Sequence, residues 1–322
     1  MSQTRFILID PLSPTGFETL NRLSEEGVPA AQVLLYTHVI GATRQVSYGE
    51  GVIKVQDISA YNPAEGDIVL NGAPVSKSKS LLQKIKDKGA KCYDLSGIWR
   101  KDPDTVFVQG QHDSPTKQLY LPNSVALHLI ALLEPLKEAY GLKSVHVTAH
   151  VPVALAGQKA QDELFAQTRN IFMNVPFQPQ EFPKQIAFNM IPQVGGFQES
   201  GQSEAEWEAL VDVKRALGKG IAVALTCVYA PVFATQSLSV QVELAEETAP
   251  SDARRILSQA GLRVVDTSSD LEFVSPVEVQ GEDEIYVSRV REEFSFENTL
   301  SLWSVADALR LSAAAYVRAL RS

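Results

Sequence analysis

The first third of the chain alternates short apolar runs with helix-length segments, and that rhythm leaves few folds open. Phe6–Asp10, Gln32–Tyr36, Asp67–Asn71 and Lys91–Asp94 read as strands, and Gly16–Glu26 and Lys77–Lys88 read as helices. A repeated β-α-β order implies a parallel, doubly wound sheet, because parallel neighbours need a crossover helix between them. The turn after the first strand, "DPLSPTG" at 10–16, sits where such a sheet carries a glycine-rich phosphate loop, yet Gly16 is its one glycine. The lysines at 77, 79, 84, 86 and 88 fall on the second helix and read as a solvated face.

The rest of the chain has a different rhythm. A long apolar helix starts after Asn123, a good N-cap. The stretch 143–155 reads as a strand, 156–170 as a helix, and a Pro-, Phe- and Gln-rich loop runs to about Pro192. Ser203 followed by Glu206 forms a capping box for the helix over 203–218. Strands are expected at Ala222–Tyr229, Ser237–Glu243 and Ile285–Arg291, and a helix at Pro250–Gln259 with proline at its first position. An amphipathic helix is expected over Trp303–Leu320. This half is α+β with a mostly antiparallel sheet.

A formal charge of −9 argues against nucleic acid or an anionic membrane as partner. No 18-residue apolar run and no signal-like start is present, and Cys92 and Cys227 lie in strand-like runs that make no disulfide framework. A cytoplasmic protein is expected. Walker, G-x-G-x-x-G, H-E-x-x-H and G-x-S-x-G motifs are absent. His146 and His150 share a strand face, but at about 3.3 Å per residue they stand roughly 13 Å apart, too far for one metal. Two satisfied histidines, and no metal, are expected there.

Four stretches together carry a resemblance: "YLPNSVALHLIALLEPLKEAYGLKSV", "IAFNMIPQVGGFQESGQSEAEWEALVDVKRALG", "TCVYAPVFATQS" and "YVSRVREEFSFENTLSLWSVADALR", with "SGIWRKDPD" at 96–104. In order, spacing and punctuation the chain resembles the aspartate-semialdehyde dehydrogenases over nearly its whole length. The resemblance implies a Rossmann-like domain over 1–123 plus the C-terminal helix 303–322, and a substrate and dimerisation domain over 124–302. It also implies a role in amino-acid biosynthesis. In that family a cysteine thiolate attacks the aldehyde, hydride passes to NADP, phosphate cleaves the acyl-enzyme, and a histidine handles protons.

Against that pattern the reacting positions have changed. The Pro-Asn-Cys-Ser-Thr turn reads Pro122-Asn123-Ser124-Val125-Ala126, and serine needs a positioned base. The arginine and histidine flanking Pro-Val-Phe are Tyr229 and Gln236, and an amide cannot accept a proton near pH 7. The Glu-x-Lys of the Trp-containing helix is Glu206-Trp207-Glu208, with a carboxylate where an anion-binding lysine is expected. Val151, Ala154 and Leu155 replace a glutamine and a Ser-Gly turn, and Asp307-Ala308-Leu309-Arg310 lacks the family's Asn and Lys. Arg100 matches an anion-binding arginine, or else braces Asp102 or Asp104. Arg100 and Glu206 are therefore the anion-site remnant, and Cys227 aligns with an ordinary strand residue.

The cofactor loop is altered in the same way. The family's three glycines fall on Asp10, Ser13 and Gly16, while Pro11 and Pro14 each delete an N–H. An inward Asp10 about 4 Å from a phosphate would repel it by about 4 kcal/mol at an effective dielectric near 20. Gly16 is expected to serve close packing of helix on strand. The 2′-phosphate contact has become 36–40, with Arg44 the nearby substitute, and "NGAP" at 71–74 replaces a Gly-Gly pair.

Losses confined to the chemistry resemble the non-catalytic bacterial Usg proteins. The expected protein binds no cofactor, with NADP only if activity is retained, and works as a homodimer or as a mixed dimer with an active relative. Two alternatives stay open. One is an NADP-dependent oxidoreductase acting on a divergent substrate through Ser124, with His112, His128 or His150 as base. The other is an anion or nucleotide sensor using Arg100, Arg289 and Arg291.

Overall fold

The computed structural model describes residues 4–39, 44–102, 105–107, 117–266 and 272–321. The chain divides into two compact units, one of residues 1–122 and 312–322, the other of 123–311.

The first unit is built on β1 (Arg5–Ile9), α1 (Pro14–Glu25), β2 (Val33–Thr37), β3 (Arg44–Tyr48), β4 (Gly51–Asp57), β5 (Asp67–Asn71), α2 (Val75–Asp87), β6 (Lys91–Asp94), β7 (Val106–Phe107) and β8 (Gln118–Tyr120). Its sheet runs β3-β4-β2-β1-β5-β6-β8-β7, parallel except for the β3–β4 hairpin. The chain leaves the central β1 first to one side, for β2, and later returns to the other, for β5. Such a reversal is where open α/β sheets form their ligand crevice. Ile7, Ile9, Val69, Ile85 and Cys92 centre a core that α2 covers with Leu81 and Leu82, while its four lysines and Lys88 just past its end face solvent.

Ser13 caps α1, its hydroxyl accepting from Gly16 N–H at 3.1 Å, and Pro14 opens the first turn. A Cβ on Gly16 would lie 2.6 Å from the Pro11 carbonyl oxygen. The close approach is thus to the loop itself, not to the strand that sequence reasoning named. A Gly16→Ala variant is expected to lose about 2 kcal/mol in urea unfolding; an unchanged midpoint would show that the loop yields freely.

The second unit contains α3 (Ser124–Tyr140), β9 (Leu142–Pro152), α4 (Gln158–Phe172), α5 (Glu204–Leu217), β10 (Ala222–Ala230), β11 (Thr235–Leu244), α6 (Pro250–Gln259), β12 (Arg263–Val264), β13 (Tyr286–Glu292), β14 (Thr299–Asp307) and the start of α7 (Ala308–Leu320). Its sheet runs β10-β9-β11-β14-β13-β12. The three inner pairs are antiparallel and the two edge pairs parallel, so the sheet is mixed. One face buries Val145, Val147, Ala149, Val240, Val242, Leu300 and Leu302. On the other face Ala224, His146, Gln241, Ser301 and Arg291 stand side by side across five strands, all exposed except Ser301.

The helix expected over Trp303–Leu320 starts only at Ala308. Residues 299–307 form β14, between β11 and β13. Burial on both faces removes the polar stripe that separates strand from helix in a sequence, and the apolar run reads as either. Asp307 then caps α7, accepting from the N–H groups of Leu309 and Arg310 at 2.9 and 3.1 Å.

Candidate functional site

In the second unit the Asn123 turn fixes the start of α3. Its Oδ1 accepts from Ala126 N–H at 2.9 Å, and its own N–H donates to Asp212 Oδ2 at 3.2 Å. Ser124 follows at the first helical position, buried. Its hydroxyl donates to Gln236 Oε1 at 3.3 Å, with the Ala308 carbonyl at 3.5 Å. Gln236, fully buried on β11, reaches back with Nε2 to the Ser124 carbonyl at 3.4 Å and to His128 Nδ1 at 3.1 Å. His128 lies one turn along α3, and its Nε2 meets Ser304 Oγ at 2.7 Å. Ser304 Oγ donates to the Tyr286 carbonyl at 2.9 Å.

The last bond sets the direction of the others. Ser304 has one proton and gives it to a carbonyl, so it accepts from His128 Nε2–H. His128 Nδ1 is then bare and takes the Gln236 amide N–H, which turns the Gln236 oxygen toward Ser124. Along the row each side chain donates to the next, from Ser124 to Tyr286, with one further Gln236 N–H turned back to the Ser124 carbonyl. Burial pushes the His128 imidazolium down to a pKa of about 3, so the ring is neutral at pH 7. The group facing the Ser124 proton is a carboxamide oxygen, which holds a hydrogen bond but takes no proton.

The surrounding positions are occupied structurally. Glu206 spends both carboxylate oxygens on the chain, accepting from Ser203 N–H at 2.7 Å and Cys227 N–H at 2.8 Å. Glu208 is half-buried on the same helix. Val151 and Ala154 are buried and offer no donor to an anion. Tyr229 packs edge-on against Phe182 at 5.1 Å. Arg291 pairs with Glu293 at 3.1 Å, and Arg289 lies exposed in the left-handed region, φ 58°, at an irregularity in β13. The Cys227 thiol is pushed up to about 12 by burial and by the Glu206 carboxylate, and burial raises Cys92 as well. Neither is a thiolate at pH 7.

The two strand histidines are not both satisfied, as sequence reasoning had it. His150 packs against Trp303 with the rings tilted and their centres 5.6 Å apart, and its Nδ1 is buried with no hydrogen-bond partner among the described residues. Burial lowers its pKa, partly offset by the nearby Ser237 backbone. His112 and Asp104, also named from sequence, lie outside the described residues. Among the described residues no group of three or more His, Cys, Asp or Glu is placed to hold a metal, and no helix is long and apolar enough to cross a membrane.

In the first unit Asp10 ends β1 at φ 56°, a left-handed value at home in glycine, asparagine or aspartate. Its carboxylate turns onto the end of β2, not outward toward a ligand. Oδ1 accepts from Thr37 Oγ1 at 2.9 Å and His38 N–H at 2.8 Å, and Oδ2 meets His38 Nδ1 at 2.9 Å. On the other side of β1, Gly72 N–H donates to the Ile9 carbonyl at 3.1 Å. Asn71 is held by Ser78 and Asp94. Arg44 sits on the edge strand β3, with β4 between it and β2. Arg100 is 3% exposed, its guanidinium 5.8 Å from the centre of the Tyr120 ring. Sequence reasoning offered His128 only as one of three candidate bases for Ser124, without its link through Gln236, and missed His38 as the partner of Asp10. The four-residue spacing of Ser124 and His128, one helical turn, was the available signal for the first.

The model of the semialdehyde dehydrogenase dimerisation domain matches residues 133–311. The aspartate-semialdehyde dehydrogenase of Aquifex aeolicus is 31% identical over 321 residues, covering 96% of this chain and 94% of its own. Aspartate semialdehyde dehydrogenase II of Vibrio cholerae superposes with a TM-score of 0.89 at 24% identity, over 98% of this chain and 97% of that one. The Candida albicans aspartate semialdehyde dehydrogenase solved with NADP gives 0.69 at 14% identity, over 98% and 97%. The two structural likenesses carry the fold, and the sequence matches carry descent: the chain belongs to the semialdehyde dehydrogenase family.

Proposed function

We propose that this chain is a non-catalytic, Usg-type member of its family that binds no cofactor and acts through assembly. The carrying observation is the one-way row Ser124–Gln236–His128–Ser304, which leaves no base on Ser124 and no thiolate in its place. In a mixture of aspartate semialdehyde, NADP and phosphate, the protein is expected to form NADPH no faster than a Ser124→Ala variant. A rate above that variant overturns the reading and favours an oxidoreductase on a divergent substrate. That alternative needs a base on Ser124, and the group there is the Gln236 amide, with His128 one residue further along the row.

Assembly is read as homodimerisation across the second-unit sheet face that carries the exposed His146 and Gln241, with a mixed dimer with an active relative as a variant of the same contact. Two buried polar atoms without a hydrogen-bond partner among the described residues, His150 Nδ1 and Ser301 Oγ, lie along that side of the sheet. Of the exposed large hydrophobics among the described residues, Phe17, Val39, Val52 and Val75 lie in the first unit, and the other twelve, among them Phe165, Phe172, Phe188 and Phe294, lie in the second. Apolar exposure concentrated in one unit supports a covered surface. Sedimentation equilibrium is expected to give a dimer at micromolar protein; a monomer there overturns the assembly reading.

A further inference from the structure

We infer that the Asp10 carboxylate is a resident anion, which fills from within the chain the donors a phosphate-bearing ligand would use and so shuts the first-unit crevice. The carboxyl ends of β1, β2 and β5 surround the sheet's reversal point, where nucleotide phosphates bind in open α/β folds. Three donors converge there on one carboxylate: Thr37 Oγ1, His38 N–H and His38 Nδ1, all within 2.9 Å. A backbone amide, a hydroxyl and an imidazole around one point form an anion cradle, and its occupant is covalently attached.

The loop that follows has little left to offer. Asp10 N–H donates to the Tyr36 carbonyl at 2.7 Å and Gly16 N–H to Ser13 Oγ at 3.1 Å, while Pro11 and Pro14 have no N–H. Four of the seven backbone positions from 10 to 16 are thus spent or missing. Helix N-termini hold phosphates through such groups. The NADP that relatives carry therefore does not fit this loop as it stands, because charge and donor count both oppose it.

Asp10 is the removable element. Its φ of 56° suits glycine without strain and is tolerated by asparagine, so neither replacement asks the backbone to move. Asp10→Asn keeps the shape and drops the charge; Asp10→Gly drops both and empties the cradle. The test is titration calorimetry on the full-length protein, with inorganic pyrophosphate and with NADP as separate probes. Circular dichroism and thermal unfolding verify the fold of each variant.

The parent is expected to show no heat with either probe up to millimolar concentration. Both variants are expected to bind at least about tenfold more tightly than the parent. Pyrophosphate alone gaining would place the effect at the cradle; NADP gaining too would show that the rest of the crevice still accepts a dinucleotide. Micromolar binding of either probe by the parent overturns the inference, as does a folded Asp10→Asn variant that binds no better than the parent. The inference rests on the no-cofactor part of the proposed function and is independent of its assembly part: a parent that binds NADP yet turns nothing over would sink this inference and the no-cofactor reading, and leave the assembly reading standing.

Discussion

At pH 7.5 a His128→Leu variant is expected to unfold about 3 kcal/mol more easily than the parent, and near pH 5 that deficit is expected to shrink to about 1 kcal/mol. The cost at neutral pH comes from burial. Leucine roughly fills the volume, but the Gln236 Nε2–H loses its best acceptor and Ser304 its incoming donor, both inside the second unit. The pH dependence has a definite sign. The native pKa of about 3 lies below the ordinary value of 6.5, so the unfolded chain takes up a proton as pH falls below 6.5 while the native chain does not. Stability from the neutral ring is fully present above that value and declines toward pH 3. At pH 5 the parent has lost about 2 kcal/mol by this route, and the variant, with no ring to titrate, has lost none of it. Urea unfolding of both proteins at the two pH values checks the claim; a gap that stays constant would mean that His128 titrates freely in the native state.

Glu206→Ala is expected to cost about 4 kcal/mol, and Glu206→Gln about half as much. The two bonds that Glu206 accepts are charge-assisted, and they join the start of α5 to the middle of β10. Alanine leaves two buried N–H groups with nothing to bond, whereas glutamine keeps one acceptor oxygen. Thermal unfolding and urea midpoints of the three proteins give the order directly. Equal midpoints would return Glu206 to the status of an idle remnant of an anion site.

The fold was legible wherever pattern and burial agree. Asp67–Asn71, Lys91–Asp94 and Pro250–Gln259 have the bounds read from sequence, because turn residues or a helix-opening proline mark their ends. The β3–β4 hairpin was not read from the sequence, although Gly49-Glu50 between two alternating runs is a two-residue turn signal. β14 was missed for the opposite reason, since a strand covered on both faces has no polar stripe to set its period.

Site positions were legible as substitutions but not as arrangements. The loss of the cysteine and the histidine stands in the letters at 124 and 236. What replaced them does not, because His128 reaches the cluster through a hydrogen bond to an amide on another element, 108 residues away. Asp10 was readable as a charge in the wrong place; only coordinates turn its carboxylate onto Thr37 and His38.

The one-way row in the second unit also decides what a reversion would meet. Suppose Gln236 reverts to histidine. One nitrogen of the new imidazole donates its N–H to His128 Nδ1, the bare acceptor, and that bond fixes the tautomer. The other ring nitrogen is then the bare one, free to accept from position 124 as the Gln236 oxygen does now. His128 and Ser304 keep their own bond unchanged. The row therefore holds a ready-made brace for a returning base: position 236 alone restores the base, and position 124 must change as well to restore the thiol.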